Sequence, residues 1–123
     1  KLYKNNKVTD VSALGGVHTL DIIECKKIRD VSALGGVHAL NLSGCYNVAD
    51  VSMLGGVHTL NLTGLPITDV SALGGVHNLD LSECNNVTDV RALVGVHTLN
   101  IYKCKRIKDT SALGEVRVLN LSG

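Results

Sequence analysis

One octapeptide, VSALGGVH, is written three times in this chain of 123 residues, at 11–18, 31–38 and 70–77, and VSMLGGVH stands at 51–58. A leucine stands two residues beyond each copy, and two more divergent copies have a leucine at the same place. These leucines recur at intervals of 20, 20, 19, 20 and 20 residues. A spacing this constant predicts one structural unit stacked repeatedly along the chain. The leucines that mark the units are Leu20, Leu40, Leu60, Leu79, Leu99 and Leu119.

Each unit combines a strand pattern with a turn pattern. Leu40 and Leu42 enclose a polar residue, and a period of two is typical of a strand with one buried face. The segment D-V-S-M-L-G-G at 50–56 opens with a capping aspartate and ends in glycine, which favours a short helical turn. One strand and one turn cannot bury their own apolar side chains. Neighbouring coils must therefore bury them.

The apolar residues of the unit follow the same order in every copy. They read V-H-A-L-N-L-S-G-C at 37–45 and V-H-N-L-D-L-S-E-C at 76–84, followed by V-T-D-V-R-A-L at 87–93. The first two segments resemble the L-x-x-L-x-L-x-x-[N/C]-x-L pattern of leucine-rich repeat proteins, including their cysteine-containing subclass. The third is similar to the I-x-D-I-x-x-L stretch of internalin-type repeats.

This resemblance implies a definite architecture. It is an α/β-type solenoid, a leucine-rich repeat right-handed superhelix with a parallel concave β-sheet and short convex helical turns. We predict a single leucine-rich repeat solenoid domain over residues 1–123, with about six repeats and without terminal caps.

Composition and charge disfavour two classes of partner. Twelve Lys and Arg residues oppose eleven Asp and Glu residues, so no net field draws the chain to nucleic acid or to a membrane surface. The only aromatic side chains belong to Tyr3, Tyr46 and Tyr102, too few to stack on successive bases. No apolar run approaches the roughly 20 residues of a membrane span. We expect a protein partner, no nucleic acid and no membrane span.

Stacking turns each repeat position into a column of side chains. Leu65 replaces one member of the cysteine column, so we predict buried free thiols there; metal ligation and disulfides between coils are the alternatives. The aspartate column precedes the predicted turns, where a carboxylate can accept free backbone N–H groups; calcium binding and acid–base chemistry are its alternatives. This structural ladder comprises Cys25, Cys45, Cys84, Cys104, Asp10, Asp30, Asp50, Asp69, Asp89 and Asp109.

A histidine column runs beside the strands, with Arg117 in its sixth place. Stacked imidazoles can bind a transition metal or respond to pH, because protonating close neighbours is mutually unfavourable. The plainer interpretation is a solvated row of rings, each stacked on the next. Its members are His18, His38, His58, His77 and His97.

A polar column lies between the two apolar strand positions and is expected to line the concave face. Its side chains can hydrogen-bond along the stack, or they can form a polar recognition floor. The candidate ligand-binding residues of this floor are Asp21, Asn41, Asn61, Asp80 and Asn100.

The strand exits and the loops after them vary while the convex half hardly changes. They run from Y-K-N-N-K at 3–7 to Y-K-C-K-R at 102–106. A constant framework beside a variable strip is typical of binding solenoids, and neutral drift at solvated positions is the alternative. The candidate anchors for a ligand on this strip are Tyr3, Lys27, Tyr46 and Tyr102.

Two functions follow, and neither is enzymatic. The Ser, His, Asp and Cys residues belong to repeating columns, whereas a catalytic site needs one non-repeating convergence, so we predict no enzyme activity, no metal and no cofactor. The first function is a scaffold for protein–protein interaction. The second is self-assembly, because K-L-Y-K at 1–4 matches N-L-S-G at 120–123 in repeat phase. Copies stacked end to end in that way would form a filament.

Overall fold

A computed structural model describes residues 1–122 of the chain as a stack of short strands and turns. The strands form one parallel seven-stranded sheet in which each strand pairs with the next one in the sequence. The strands are β1 (Leu2–Tyr3), β2 (Thr19–Ile23), β3 (Ala39–Asn41), β4 (Thr59–Asn61), β5 (Asn78–Asp80), β6 (Thr98–Asn100) and β7 (Val118–Asn120). The predicted solenoid with a parallel sheet is confirmed.

Equivalent repeat positions pair directly across the sheet. Leu40 is opposite both Leu20 and Leu60, and Leu60 is opposite Leu79 although their unit is one residue shorter. Because Leu65 and Ile67 are both buried on either side of Pro66, the shorter loop keeps its apolar contacts while it loses one residue. Apart from the position lost beside Pro66, each repeat position therefore forms a continuous column along the solenoid.

The convex side consists of single turns of 3₁₀ helix, which confirms the short helical turns. Each turn is closed by a backbone hydrogen bond such as Leu34 N–H to Val31 O at 3.0 Å. Residues 52–53 form a plain turn with the same kind of bond, Leu54 N–H to Val51 O at 3.0 Å. The 3₁₀ helices span Ser12–Leu14, Ser32–Leu34, Ser71–Leu73, Arg91–Gly95 and Ser111–Glu115. Within residues 1–122, no helical segment has the length and apolar character needed to cross a bilayer.

The core is a thin layer between the sheet and the convex turns. It contains Leu, Val, Ile and Cys side chains, and Ile22, Leu42, Leu62 and Leu81 are fully buried in one column. Side chains in the outermost coils, such as Leu2 and Leu119, are only partly buried against it. The core therefore depends on contact between neighbouring coils.

Candidate binding surface

The aspartate column holds the convex turns in place. The Oδ1 atom of each Asp accepts the backbone N–H of the residue two places further on, at 2.9–3.0 Å. Where the turn is a 3₁₀ helix, the Asp lies one residue before its N-cap position. Hydrogen bonds from the Ser12 side chain and backbone lower the pKa of Asp10. The Arg91 side chain, with its backbone N–H, lowers the pKa of Asp89 to about 2. These carboxylates act on their own turns and do not converge on a ligand.

The cysteine column is buried and all four thiols are free. Three of them donate to a carbonyl of the preceding coil: Cys45 to Ile22 O at 3.0 Å, with equivalent bonds from Cys84 and Cys104 at 3.1 and 2.9 Å. Cys25 instead contacts Ile23 O at 3.6 Å. Burial raises the pKa of the Cys84 thiol to about 12, and it also raises the pKa of Cys45 and Cys104, which disfavours the reactive thiolate at these three positions.

The histidine column forms a ladder of stacked rings along one margin of the sheet. Neighbouring ring centroids are 4.5–4.7 Å apart and the rings are 8–14° from parallel. The Nδ1 atoms of His18, His58 and His97 lie 2.9–3.0 Å from the hydroxyl of the threonine that follows. Within residues 1–122, no three His, Cys, Asp or Glu side chains are placed to hold a metal ion.

The polar column of the concave face makes local hydrogen bonds. Asn41 Oδ1 accepts the Ser43 N–H at 2.9 Å, and Asn61, Asp80 and Asn100 make the same bond to the residue two places on. The expectation that these side chains bond along the stack is wrong for these four residues. The reason is that the regular strand ends here, which leaves a backbone N–H for the nearby side chain to satisfy. Asp21, Asn41, Asn61, Asp80 and Asn100 are half-buried and line the concave face.

At each strand exit from the first to the sixth coil, the backbone turns through a left-handed residue. Glycine adopts this conformation freely, whereas other residues lose roughly 1–2 kcal/mol in it. The left-handed column consists of Lys4 (φ 51°), Glu24 (54°), Gly44 (72°), Gly64 (78°), Glu83 (59°) and Lys103 (57°).

An open cleft of about 430 Å³ lies where this column contains its two glycines. We call it the strand-exit notch. Its lining residues are Glu24, Ser43, Gly44, Tyr46, Thr63, Gly64, Glu83 and Asn85. A larger cleft of about 580 Å³ lies on the convex side beside Asp69, Asp89 and Arg91. Similar clefts recur between other Asp–Ser turns, so they belong to the repeating framework, whereas the notch does not repeat.

The structure separates the predicted anchors. Tyr46 lines the notch with 53 % of its surface exposed. Tyr3 lies in β1 and Tyr102 in the sixth coil, each with the ammonium group of the following lysine over its ring at 5.3 and 5.2 Å. Lys27 is exposed in the turn after Cys25 and does not line the notch. Of the four anchors, only Tyr46 is therefore part of this cleft.

Sequence reasoning missed the glutamates and glycines of the notch. Glu24, Gly44, Gly64 and Glu83 occupy one repeat position, and all were inside the strip that varies between copies. Comparing that single position through all copies shows the order Lys, Glu, Gly, Gly, Glu, Lys, Gly. That order was the available signal, but only the backbone conformation shows that the position turns left-handed.

Two solved structures share this arrangement of parallel strands. An internalin (inlF) from Listeria monocytogenes superposes with a TM-score of 0.69 and 25% sequence identity, over 94% of this chain and 38% of the other. An internalin C2 (inlC2) from the same organism gives a TM-score of 0.55 and 17% identity, over 98% and 71%. The chain is a leucine-rich repeat protein.

This leucine-rich repeat protein spans 38% of the length of the first internalin and 71% of the second. The second likeness, at 17% identity, concerns the fold alone. The sequence matches no protein-family profile and no curated protein. Solenoids of this kind present an extended concave surface that suits the binding of other proteins.

Proposed function

We propose that this leucine-rich repeat protein is a non-catalytic scaffold for protein–protein interaction, with its ligand on the concave face and the variable strand-exit loops. The supporting observation is where its copies differ. The columns of Leu, Val and Cys are buried and nearly constant, whereas the side chains that change from coil to coil line the open notch. Residues that pack a framework have to repeat; residues that recognise a partner do not.

Tyr46 is the central anchor of the proposed surface. Its ring is more than half exposed and lies beside the hydroxyl-bearing residues Ser43 and Thr63. Tyrosine is enriched among the residues that dominate binding energies, because it adds contact area with little loss of side-chain freedom. The half-buried Asn41 and Asn61 of the concave face would supply hydrogen-bonding groups to the same ligand.

Selection from a library of displayed random peptides tests the scaffold function. We expect enriched peptides to lose at least about tenfold in affinity for a Tyr46→Ser, Tyr102→Ser double variant. Met53→Ser is the matched control, since Met53 is 61% exposed on the convex side and its replacement should leave affinity unchanged. Peptides that bind the double variant as tightly as the original chain would remove these anchors, and the absence of any enriched peptide would contradict the function.

Self-assembly end to end is a second candidate, and the outermost coils favour it. Val118 and Leu121 are 55% and 49% exposed, and within residues 1–122 β1 and β7 each pair with a strand on one side only. Unpaired parallel edges can join to one another. Light scattering tests this: molar mass that rises with protein concentration, with fibres of constant width in electron micrographs, supports assembly. A constant mass near 13.0 kDa contradicts it.

A further inference from the structure

The left-handed column carries charged side chains where its backbone conformation would favour glycine. In the third and fourth coils it contains Gly44 and Gly64, and the coils on either side contain Glu24 and Glu83. Both glutamates have positive φ, as Lys4 and Lys103 do at the same position of the coils beyond them. The two glutamates therefore flank two coils whose left-handed residues are glycines.

The two glycines make room for neighbouring side chains to form the notch. A Cβ atom on Gly44 would lie 2.7 Å from Cγ of Glu24, so the Glu24 side chain extends over that glycine. A Cβ atom on Gly64 would lie 3.6 Å from Cε1 of Tyr46, which places the tyrosine ring beside the second glycine. The notch thus contains a carboxylate and an aromatic ring close to an open floor.

The carboxylates are available to a ligand. Glu24 makes one long ion pair, with Lys4 Nζ at 3.7 Å, and its side chain stays 39% exposed. Glu83 is exposed and makes no ion pair with any of the residues 1–122. The Lys103 ammonium group lies over the Tyr102 ring at 5.2 Å. No basic side chain lines the notch, so its charge is complementary to a cation.

The separation of the carboxylates indicates the shape of the cation. The backbone positions of Glu24 and Glu83 are three coils apart, or about 14 Å at the usual spacing between strands. The Glu24 side chain leans one coil towards Glu83, so the two carboxylates are closer together than the two backbones. No single side chain reaches both, but two residues four positions apart in an extended peptide are about 13 Å apart and point to the same side. Arginine suits both ends because its planar guanidinium group pairs with a carboxylate through two hydrogen bonds and stacks on aromatic rings.

We infer that the strand-exit notch binds an extended peptide with two arginines four residues apart, one on Glu24 and one on Glu83, with the intervening residues over Tyr46. The inference rests on the proposed scaffold function and assigns its partner a chemical class. The peptide runs along the solenoid axis, across the ends of the strands. Since both ion pairs are exposed to solvent, its affinity falls as salt concentration rises.

Fluorescence anisotropy with two labelled synthetic peptides of equal length and charge tests the spacing. One carries Arg-x-x-x-Arg and the other Arg-x-x-Arg, with Gly and Ser elsewhere. We expect the first to bind at least about fivefold more tightly, because the second directs its arginines to opposite sides of the extended chain. Glu24→Gln and Glu83→Gln should each weaken the first peptide by up to about fivefold.

Gly64→Lys and Gly64→Glu form a matched pair of variants. Lys103 and Glu83 already occupy the equivalent left-handed position, so both variants should fold, as thermal melting will check. Since both side chains add bulk at the same place, the difference between the variants reports charge, and the lysine should weaken peptide binding much more than the glutamate does. Equal affinity for the two peptides, no binding of either, or no effect of the glutamine variants would overturn the inference. The scaffold proposal survives that outcome if library peptides without paired arginines still depend on Tyr46 and Tyr102.

Discussion

At the scale of single residues, burial controls the reactivity of the cysteines. Leu65 occupies the same column and is 1% exposed, which is why the sequence alone indicated an apolar position. The carbonyls that Cys45, Cys84 and Cys104 contact belong to a different coil, as with Cys84 and Leu62, so they were not visible in a single repeat. The nucleophile in thiol chemistry is the thiolate, and a pKa of about 12 leaves Cys84 protonated near neutral pH.

We therefore predict that a thiol reagent at pH 8 modifies the native protein more than about 100-fold more slowly than the protein unfolded in guanidinium. Release of a coloured thiol product measures both rates. A Ser52→Cys variant provides an exposed thiol as the control, since Ser52 is exposed in its convex turn. Native cysteines that react as fast as this added one would contradict the burial of the column.

At the scale of the repeated element, the double glycine has two unequal members. A Cβ atom on Gly35 would lie 2.4 Å from the carbonyl oxygen of Met53 in the next coil, whereas one on Gly16 would have no atom within 4 Å. Gly15, Gly55 and Gly74 make the same close approach at 2.4–2.5 Å. The first glycine of each of these pairs therefore makes the closer approach, since a Cβ atom on Gly36, Gly56 or Gly75 would lie 3.1–3.4 Å from a carbonyl oxygen of the preceding coil.

We expect Gly35→Ala to lower the free energy of unfolding by about 1–3 kcal/mol, since a methyl group cannot occupy that space unless a coil shifts. Gly16→Ala should change it by less than about 0.5 kcal/mol. Denaturation by urea measures both variants against the original chain. Equal losses from the two substitutions would show that the close approach does not limit stacking.

The element scale also shows where prediction from sequence stopped. The alternation of Leu40 and Leu42 indicated a strand, and D-V-S-A-L-G-G indicated a helical turn; both are present. Sequence did not separate the two glycines, although Val94 replaces the first of them in one copy. There the 3₁₀ helix extends over Arg91–Gly95 and Val94 is 48% exposed. The spacing between coils decides which of the two glycines makes the closer approach, and the sequence of a single repeat does not contain that spacing.

At the scale of the whole molecule, we predict that His58, in the middle of the histidine ladder, links folding to pH. Burial lowers the pKa of His58, and the neighbouring rings of His38 and His77 lower it further. The groups around His58 are those two rings and the Thr59 hydroxyl, none of which is a carboxylate. The unfolded chain therefore binds a proton at this site more readily than the folded chain does.

The direction of the pH dependence follows from that difference. The folded state is most stable above the unfolded pKa of about 6.5, and its stability falls as pH drops below that value. We predict a Tm lower at pH 5 than at pH 7 and constant between pH 7.5 and 8.5. The lowered pKa values of the aspartates, such as Asp10, act only below about pH 4 and do not overlap this interval. Scanning calorimetry of the original chain and of His58→Gln checks the prediction: the variant should lose part of the dependence, and a flat Tm from pH 5 to 8 would contradict it.

The sequence by itself determined the architecture of this leucine-rich repeat protein. A nearly constant interval between leucines leaves one economical way to bury them, which is to stack identical coils. Tertiary structure alone decided which variable residues meet. Glu24 and Glu83 are 59 positions apart in the chain, yet the coils place them at the two ends of one notch over Gly44 and Gly64. Periodicity describes what every coil shares, whereas a binding surface arises from contacts between coils that differ.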